Sequence, residues 1–200
     1  MTVNDRIRTS IADYAAELIE LSHDIHAHPE VGYHEFHAAK VTTELLERHG
    51  FAVEREIAGL ATAFRATKGT GPLRLSFCVE FDALPDVGHA CGHNIIAASS
   101  IGAALALADV ADEVGATVVV FGTPCEEGGG GKIDIINAGY FDDVHASFMV
   151  HPWPTERLGA TCLAVVAFDV TFHGKEAHAS AAPWEGRSEE HTSELQSLRH

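Results

Sequence analysis

The sequence predicts an α/β fold with a central, mostly parallel sheet, and three observations lead to it. Apolar residues between Arg6 and His28 recur every three to four positions, the period of an amphipathic helix packed on a core. Farther along, "LRLSFCVEF", "IIAASSIGAALALADVADEV" and "ATVVVFGTP" follow one another as strand, helix and strand, the order of a crossover unit. The last of these is a continuous β-branched run, as strands buried on both faces of a parallel sheet are.

The first helix, over 6–28, places Ile7, Ile11, Tyr14, Leu18, Leu21 and Ile25 on one face and is broken in "HPEVGY" by Pro29 and Gly32. A second helix spans 34–49 and ends at Gly50. "FAVEREI", "ATAFRAT" and "LRLSFCVEF" read as strands, the third apolar enough to be central. A buried helix rich in Ala, Ile and Leu starts near Asn94, and "ATVVVFGTP" follows it as a buried strand. "GGGGKIDIINAGYF" is a loop with a short helix, and "VHASFMVHPWP" a further strand that reaches a turn. From Leu163 the texture changes to "AVVAFDVTFHGKEAHAS", the opening of a second, α+β domain. The expected organisation is a main domain over 1–160, the start of another over 161–186, and a polar tail over 187–200. Arg187 to Ser197 looks like an in-frame translation of a sequencing-library adapter, so the tail is expected to be non-native and is set aside from function.

Composition narrows the function. An apolar fraction of 46% with 21% charged residues is that of a globular protein. The formal charge of −16, with only 13 Lys and Arg scattered along the chain, argues against nucleic acid and against anionic membranes as partners. No signal-peptide core and no bilayer-length apolar run is present, so a cytoplasmic location is expected. Four cysteines without a CxxC pair make neither a disulfide framework nor a redox motif.

The chemistry concentrates at three strand ends. "GHACGHN" puts Cys91 and His93 in a glycine-flanked loop at the start of a helix, where free N–H groups and the helix dipole favour a thiolate. Taken alone, the pair reads first as a buried Cys and a hydrogen-bonded His. "TPCEEGGGG" ends the buried strand with adjacent carboxylates, Glu126 and Glu127, which are costly side by side unless a cation accepts them. One of the two can bind a metal while the other moves a proton. "FMVHPWP" adds His151. Sulfur, imidazole and carboxylate together suit zinc, manganese or cobalt. Asp82 in "EFDALP" is placed to orient a ligand imidazole through its second nitrogen. "GGGGK" lacks the spacing of a phosphate loop, and its acidic flank would repel phosphate. His23, His26, His28, His34, His37 and His49 read as solvated or capping residues, His145 and His173 as strand-surface residues, and His89 as a supporting residue. Cys78 and Cys125 read as small buried thiols on apolar strands.

"HPEVGYHEF", "EFDALPDVGHACGHN", "GTPCEEGGGGK", "VHPWP" and "GKEAHASAAPWEG" resemble, in order and spacing over residues 5–186, the M20 family of metallopeptidases and amidohydrolases. Within it they are similar to the branch of N-acyl-amino-acid and aminobenzoyl-glutamate amidohydrolases and the M20-domain-containing protein 2 group, which "CGHN" also favours. The resemblance implies a zinc-exopeptidase-like catalytic domain followed by the start of an inserted α+β lid, or dimerisation, domain. It implies two divalent metal ions on Cys91, His93, Glu127 and His151. It further implies attack on a small-molecule amide by a metal-bound hydroxide, with Glu126 as general base and acid. His178 would reach across a homodimer to the partner's substrate carbonyl. Family members are about twice as long and supply a further histidine ligand from a later segment, so this 200-residue chain is expected to be an inactive, non-dimerising fragment. A non-catalytic metal-binding module and a thiol-based enzyme centred on Cys91 are the competing readings.

Overall fold

The computed structural model describes residues 1–156, 158–159, 171 and 173–187. The chain divides after Thr155 into two compact units. Cys162, most of the strand expected from Leu163 and residues 188–200 lie outside the described residues.

Helix α1 (Val3–Ala27) opens on a capping box in which the Thr2 hydroxyl accepts the Asp5 N–H and the Asp5 carboxylate accepts the Thr2 N–H. Its expected apolar face is buried only in the second half, at Leu18, Leu21 and Ile25, whereas Ile11 is 40% exposed. The first half is held by polar contacts instead: the Ser10 and Tyr14 hydroxyls donate to the Asp109 carboxylate. Helix α2 (Phe36–Arg48) follows, then strands β1 (Ala52–Arg55), β2 (Phe64–Gly69) and β3 (Leu73–Val79). Helix α3 (His93–Ala108) is apolar nearly all round and correspondingly buried, with α1 crossing it so closely that a Cβ on Gly102 would stand 2.7 Å from Leu18. A short helix α4 (Ala111–Val114), strand β4 (Ala116–Gly122), helix α5 (Gly131–Asn137) and strand β5 (Ala146–Phe148) complete the unit.

The five strands form one sheet in the order β1-β2-β4-β3-β5. The β3–β4 and β3–β5 pairings are parallel, and β1–β2 and β2–β4 are antiparallel. The class is therefore the expected α/β, with the parallel strands gathered at one side and a hairpin-like flank on the other. Several predicted strands are shorter than their apolar runs: left-handed residues Glu56 and Ala58 stop "FAVEREI" early, and only three residues of "VHASFMVHPWP" join the ladder.

Strand β4 is buried at every position and divides the core in two. Val118 and Val120 face the larger cluster, with Ile25, Leu46, Ile101, Leu105 and the stacked Phe64 and Phe81 rings. Val119 and Phe121 face the smaller one, with Ile57 and Ile135. Because α3 leads from β3 to β4 on one side and the next parallel strand, β5, lies on the other side of β3, the chain reverses direction across the sheet at β3. Crevices at the carboxyl ends of strands beside such a reversal are where ligands bind in open α/β sheets. In the second unit, Lys175 and Arg187 form an isolated antiparallel bridge and Pro183–Glu185 a single 3-10 turn.

Ile101→Ala, which empties a fully buried site on α3, is expected to destabilise the chain by about 2–5 kcal/mol, while Ile19→Ala, on the exposed side of α1, should stay within about 0.5 kcal/mol. Urea denaturation of the two variants checks this, and equal losses would contradict the assigned core.

Candidate metal centre

The centre forms at the carboxyl ends of the three parallel strands. Beyond β3 the chain delivers Glu80 and Asp82, beyond β4 Glu126 and Glu127, and beyond β5 His151, while the α3 start delivers His93. That start requires glycine at position 92. Gly92 takes φ +76°, and a Cβ there would come within 2.9 Å of Pro152. This contact brings the loop before α3 against the loop after β5.

His93 is the hub. Its Nδ1 lies 3.0 Å from Asp82 Oδ1, and since a carboxylate only accepts, Nδ1 carries a proton and in the neutral ring Nε2 presents its lone pair. Around Nε2 stand Glu127 Oε1 at 3.6 Å, Glu80 Oε2 at 3.7 Å and Glu126 Oε2 at 3.9 Å. The His151 ring centroid is 6.3 Å from that of His93, nearly perpendicular to it. His151 Nδ1 donates to the Pro152 carbonyl at 2.8 Å, so in the neutral ring its Nε2 is likewise the acceptor. Two triads, Glu80–His93–His151 and His93–Glu126–Glu127, each bring their donor atoms within 4.8 Å of one another.

Three of the expected donors, His93, Glu127 and His151, are thus gathered about the His93 ring together with the expected base Glu126, and Asp82 holds His93 as anticipated. Cys91 stands apart from both triads and meets the centre through a hydrogen bond to Glu127. The helix start favours a thiolate at Cys91, and the surrounding carboxylates oppose it. The Glu127 bond, burial, and the charges of Glu127, Glu126 and Asp82 push the Cys91 thiol up to about 11, and a nearby cation would favour the thiolate. His178 lies in the second unit, exposed, with Nδ1 accepting the backbone N–H groups of Ser180 and Ala181. Cys125 is not on a strand: it sits past β4 with φ +55°, its sulfur accepting the Gly129 N–H.

Two residues were not anticipated. Glu80 is buried, ion-paired to Lys132 through one oxygen, while its other oxygen has no hydrogen-bond partner. Its signal was an acidic residue within the apolar second half of "LRLSFCVEF", between Val79 and Phe81. Glu35, buried within "HPEVGYHEF", accepts the Cys125 N–H on Oε1 and the Thr62 hydroxyl on Oε2, both at 2.8 Å. With the Glu127 N–H donating to Asp82 Oδ2 at 3.0 Å, the turn that carries Glu126 and Glu127 is pinned on both sides by buried carboxylates.

The charges set the proton affinities. Burial raises the Asp82 carboxyl, but the bonds from His93 and the Glu127 N–H outweigh it and hold Asp82 below its ordinary value. Burial lowers His93, yet the Asp82 bond and the charges of Asp82, Glu80 and Glu127 raise it overall. Burial raises Glu126, with Glu80 adding to the effect and Lys132 opposing it. The residues fit a cation: Glu80 Oε2 and His93 Nε2 are buried, unpartnered and face each other, and carboxylates outnumber the cationic groups around them.

These features define an α/β domain built around a candidate metal centre. Residues 77–198 match the description "Peptidase family M20/M25/M40", and the chain belongs to that family. It is 41% identical over 198 residues to the Xaa-Arg dipeptidase of Mus musculus, covering 90% of this chain and 45% of that protein. It is 33% identical over 189 residues to a p-aminobenzoyl-glutamate hydrolase chain of Escherichia coli, covering 84% of this chain and 39% of that one. Among solved structures it is similar to the Bacillus subtilis YXEP protein, described as a dinuclear metal binding peptidase from the M20 family. That likeness has a TM-score of 0.64 at 29% identity, over 72% of this chain and 44% of that one. The chain spans less than half the length of these relatives. Among the described residues no helix is long and apolar enough to cross a membrane.

Glu35→Ala, which leaves the Cys125 N–H unpartnered, is expected to cost about 1–3 kcal/mol in denaturant titrations. Burial raises the Glu35 carboxyl more than its hydrogen bonds lower it, so the native chain holds that proton more tightly than the unfolded one. The Glu35 contribution to stability therefore falls as pH rises from the ordinary glutamate range through the raised native value. Glu35→Gln keeps an acceptor and should flatten that fall relative to wild type; an unchanged pH slope would contradict the raised value.

Proposed function

We propose that this chain supplies the metal-holding part of a hydrolase that cleaves small amides: N-acyl amino acids, aminobenzoyl-glutamate or dipeptides. The observation that carries the reading is the meeting of His93, His151, Glu126 and Glu127 at the carboxyl ends of parallel strands, around buried polar atoms with no partner. The names of the similar proteins, a dipeptidase and an aminobenzoyl-glutamate hydrolase, support the same substrate class.

In this reading Cys91, His93, Glu127 and His151 hold two divalent ions, zinc, manganese or cobalt. When bound, such ions polarise an amide carbonyl and acidify water. Every other part falls to the chain. Asp82 fixes the His93 ring and the Glu127 backbone together, and so keeps two of the donors in a constant relation. Glu126 is partly exposed, and burial together with Glu80 raises its proton affinity, which suits a group that takes a proton from water and delivers it to the departing amine. His178 accepts backbone N–H groups on Nδ1, so in the neutral ring Nε2 carries the proton and can donate to a developing oxyanion. We assign that donation to a homodimer formed through the segment that begins near residue 161, with each His178 serving the partner's substrate.

Glu126→Gln, introduced into a form extended to the length of the relatives, is expected to lower amide hydrolysis by about 10²- to 10⁴-fold while metal content by mass spectrometry stays unchanged. Unaltered hydrolysis would overturn the assigned base. No hydrolysis of any of the three substrate types by the metal-loaded wild type would favour a non-catalytic metal-binding module.

A further inference from the structure

A second set of metal donors lies outside the centre, between the end of α1 and the start of α2. Asp24 and His28 are four residues apart, the spacing that puts two side chains on one helical face. The first turn of α2 adds His37. His28 Nδ1 is 3.1 Å from Asp24 Oδ1, and His37 Nε2 is 3.0 Å from Asp24 Oδ2. The two imidazole rings stand 4.3 Å apart at their centroids. Histidines read from the sequence as solvated or capping are therefore gathered on one carboxylate, and their three donor atoms lie within 4.8 Å of one another.

We propose that Asp24, His28 and His37 form a zinc site at the surface, independent of the hydrolytic centre. Three observations carry it. The first is geometric: bonds of about 2.0–2.2 Å at tetrahedral angles place zinc donors about 3.3 Å apart, and the two imidazoles already stand 3.1 and 3.0 Å from the two oxygens of the one Asp24 carboxylate, with one donor atom from each residue within 4.8 Å of the others. The second is preorganisation. The His37 and Ala38 N–H groups donate to the Glu30 carboxylate at 2.9 and 3.0 Å, which fixes the turn carrying His37, and all three side chains are partly exposed, so a cation can enter. The third is electrostatic: Asp24 also lines a groove with Glu17, Glu20 and Glu44, where Arg48 is the one cationic side chain that is always charged.

As the side chains stand, His37 directs an N–H at the Asp24 carboxylate, and His28 Nδ1 divides its N–H between the Asp24 main-chain carbonyl at 2.9 Å and that carboxylate at 3.1 Å. Zinc takes the place of those two hydrogens, and a neutral ring accommodates it by carrying its proton on the other nitrogen. Two imidazoles and one carboxylate leave a fourth position for water, as in open zinc sites.

The test is zinc titration by calorimetry of the whole chain in a His93→Gln, Glu127→Gln background, which disables the main centre, with folding checked by circular dichroism. One zinc equivalent should persist there. Adding His37→Gln, or separately the exposed His28→Gln, should abolish it or weaken it by at least about tenfold, a scale reached even by changes to the outer partners of metal ligands. No zinc bound in that background, or binding indifferent to both histidine substitutions, would overturn the site. Amide hydrolysis reports on the main centre alone, so failure of either reading is separable from failure of the other.

Discussion

The arrangement depends first on the two bonds accepted by Asp82. One oxygen takes the His93 Nδ1 proton and the other takes the Glu127 N–H. A single carboxylate at the end of β3 thereby ties the start of α3 to the turn that follows β4. Such a group is costly to bury unpaired, and it is buried here because both oxygens are satisfied. Its bonds also fix the tautomer of His93, and with it the direction in which that ring can accept a ligand. Position and proton state of the central imidazole thus have one cause.

Around this pivot the chain collects more negative charge than it neutralises. Glu80, Asp82, Glu126 and Glu127 meet Lys132 and two histidines, His93 and His151. Lys132 occupies one Glu80 oxygen and leaves the other facing His93 Nε2. Native proteins seldom keep two buried polar atoms face to face without a partner. A divalent cation would resolve the excess charge and the missing bonds together, and would favour the Cys91 thiolate.

Much of this was legible in the sequence because it follows from local rules. The fully apolar run at β4 announced a strand covered on both faces, and Pro29 and Gly50 marked helix ends to within a residue or two. Cys91, His93, Glu126, Glu127 and His151 were conspicuous because reactive residue types closed apolar strands or opened a helix. Glu80 and Glu35 escaped because their roles are tertiary. A carboxylate one position past an apolar strand reads as an ordinary strand end until Lys132 arrives from α5, and nothing near Glu35 in sequence shows that its partners are Thr62 and Cys125. His28 caps α1 as the sequence suggested, with Nδ1 2.9 Å from the Asp24 carbonyl, but that it shares Asp24 with His37 was hidden for a related reason. A histidine at a helix end is generic, and only the packing of two helices shows that a pair shares one aspartate.

The touch between Gly92 and Pro152 has a consequence for how such a centre can change over time. It sets the separation of the two loops through main chain and a rigid ring, without help from the imidazoles they carry. Exchanging His93 or His151 for another donor would leave the gap between the loops as it was. The frame can therefore persist while its ligands are traded one at a time, so an ancestral sequence could pass from one ion preference to another without first losing the cavity. Position 92 itself has no such freedom: a bulkier residue there would push the loops apart, and no choice of ligand could compensate.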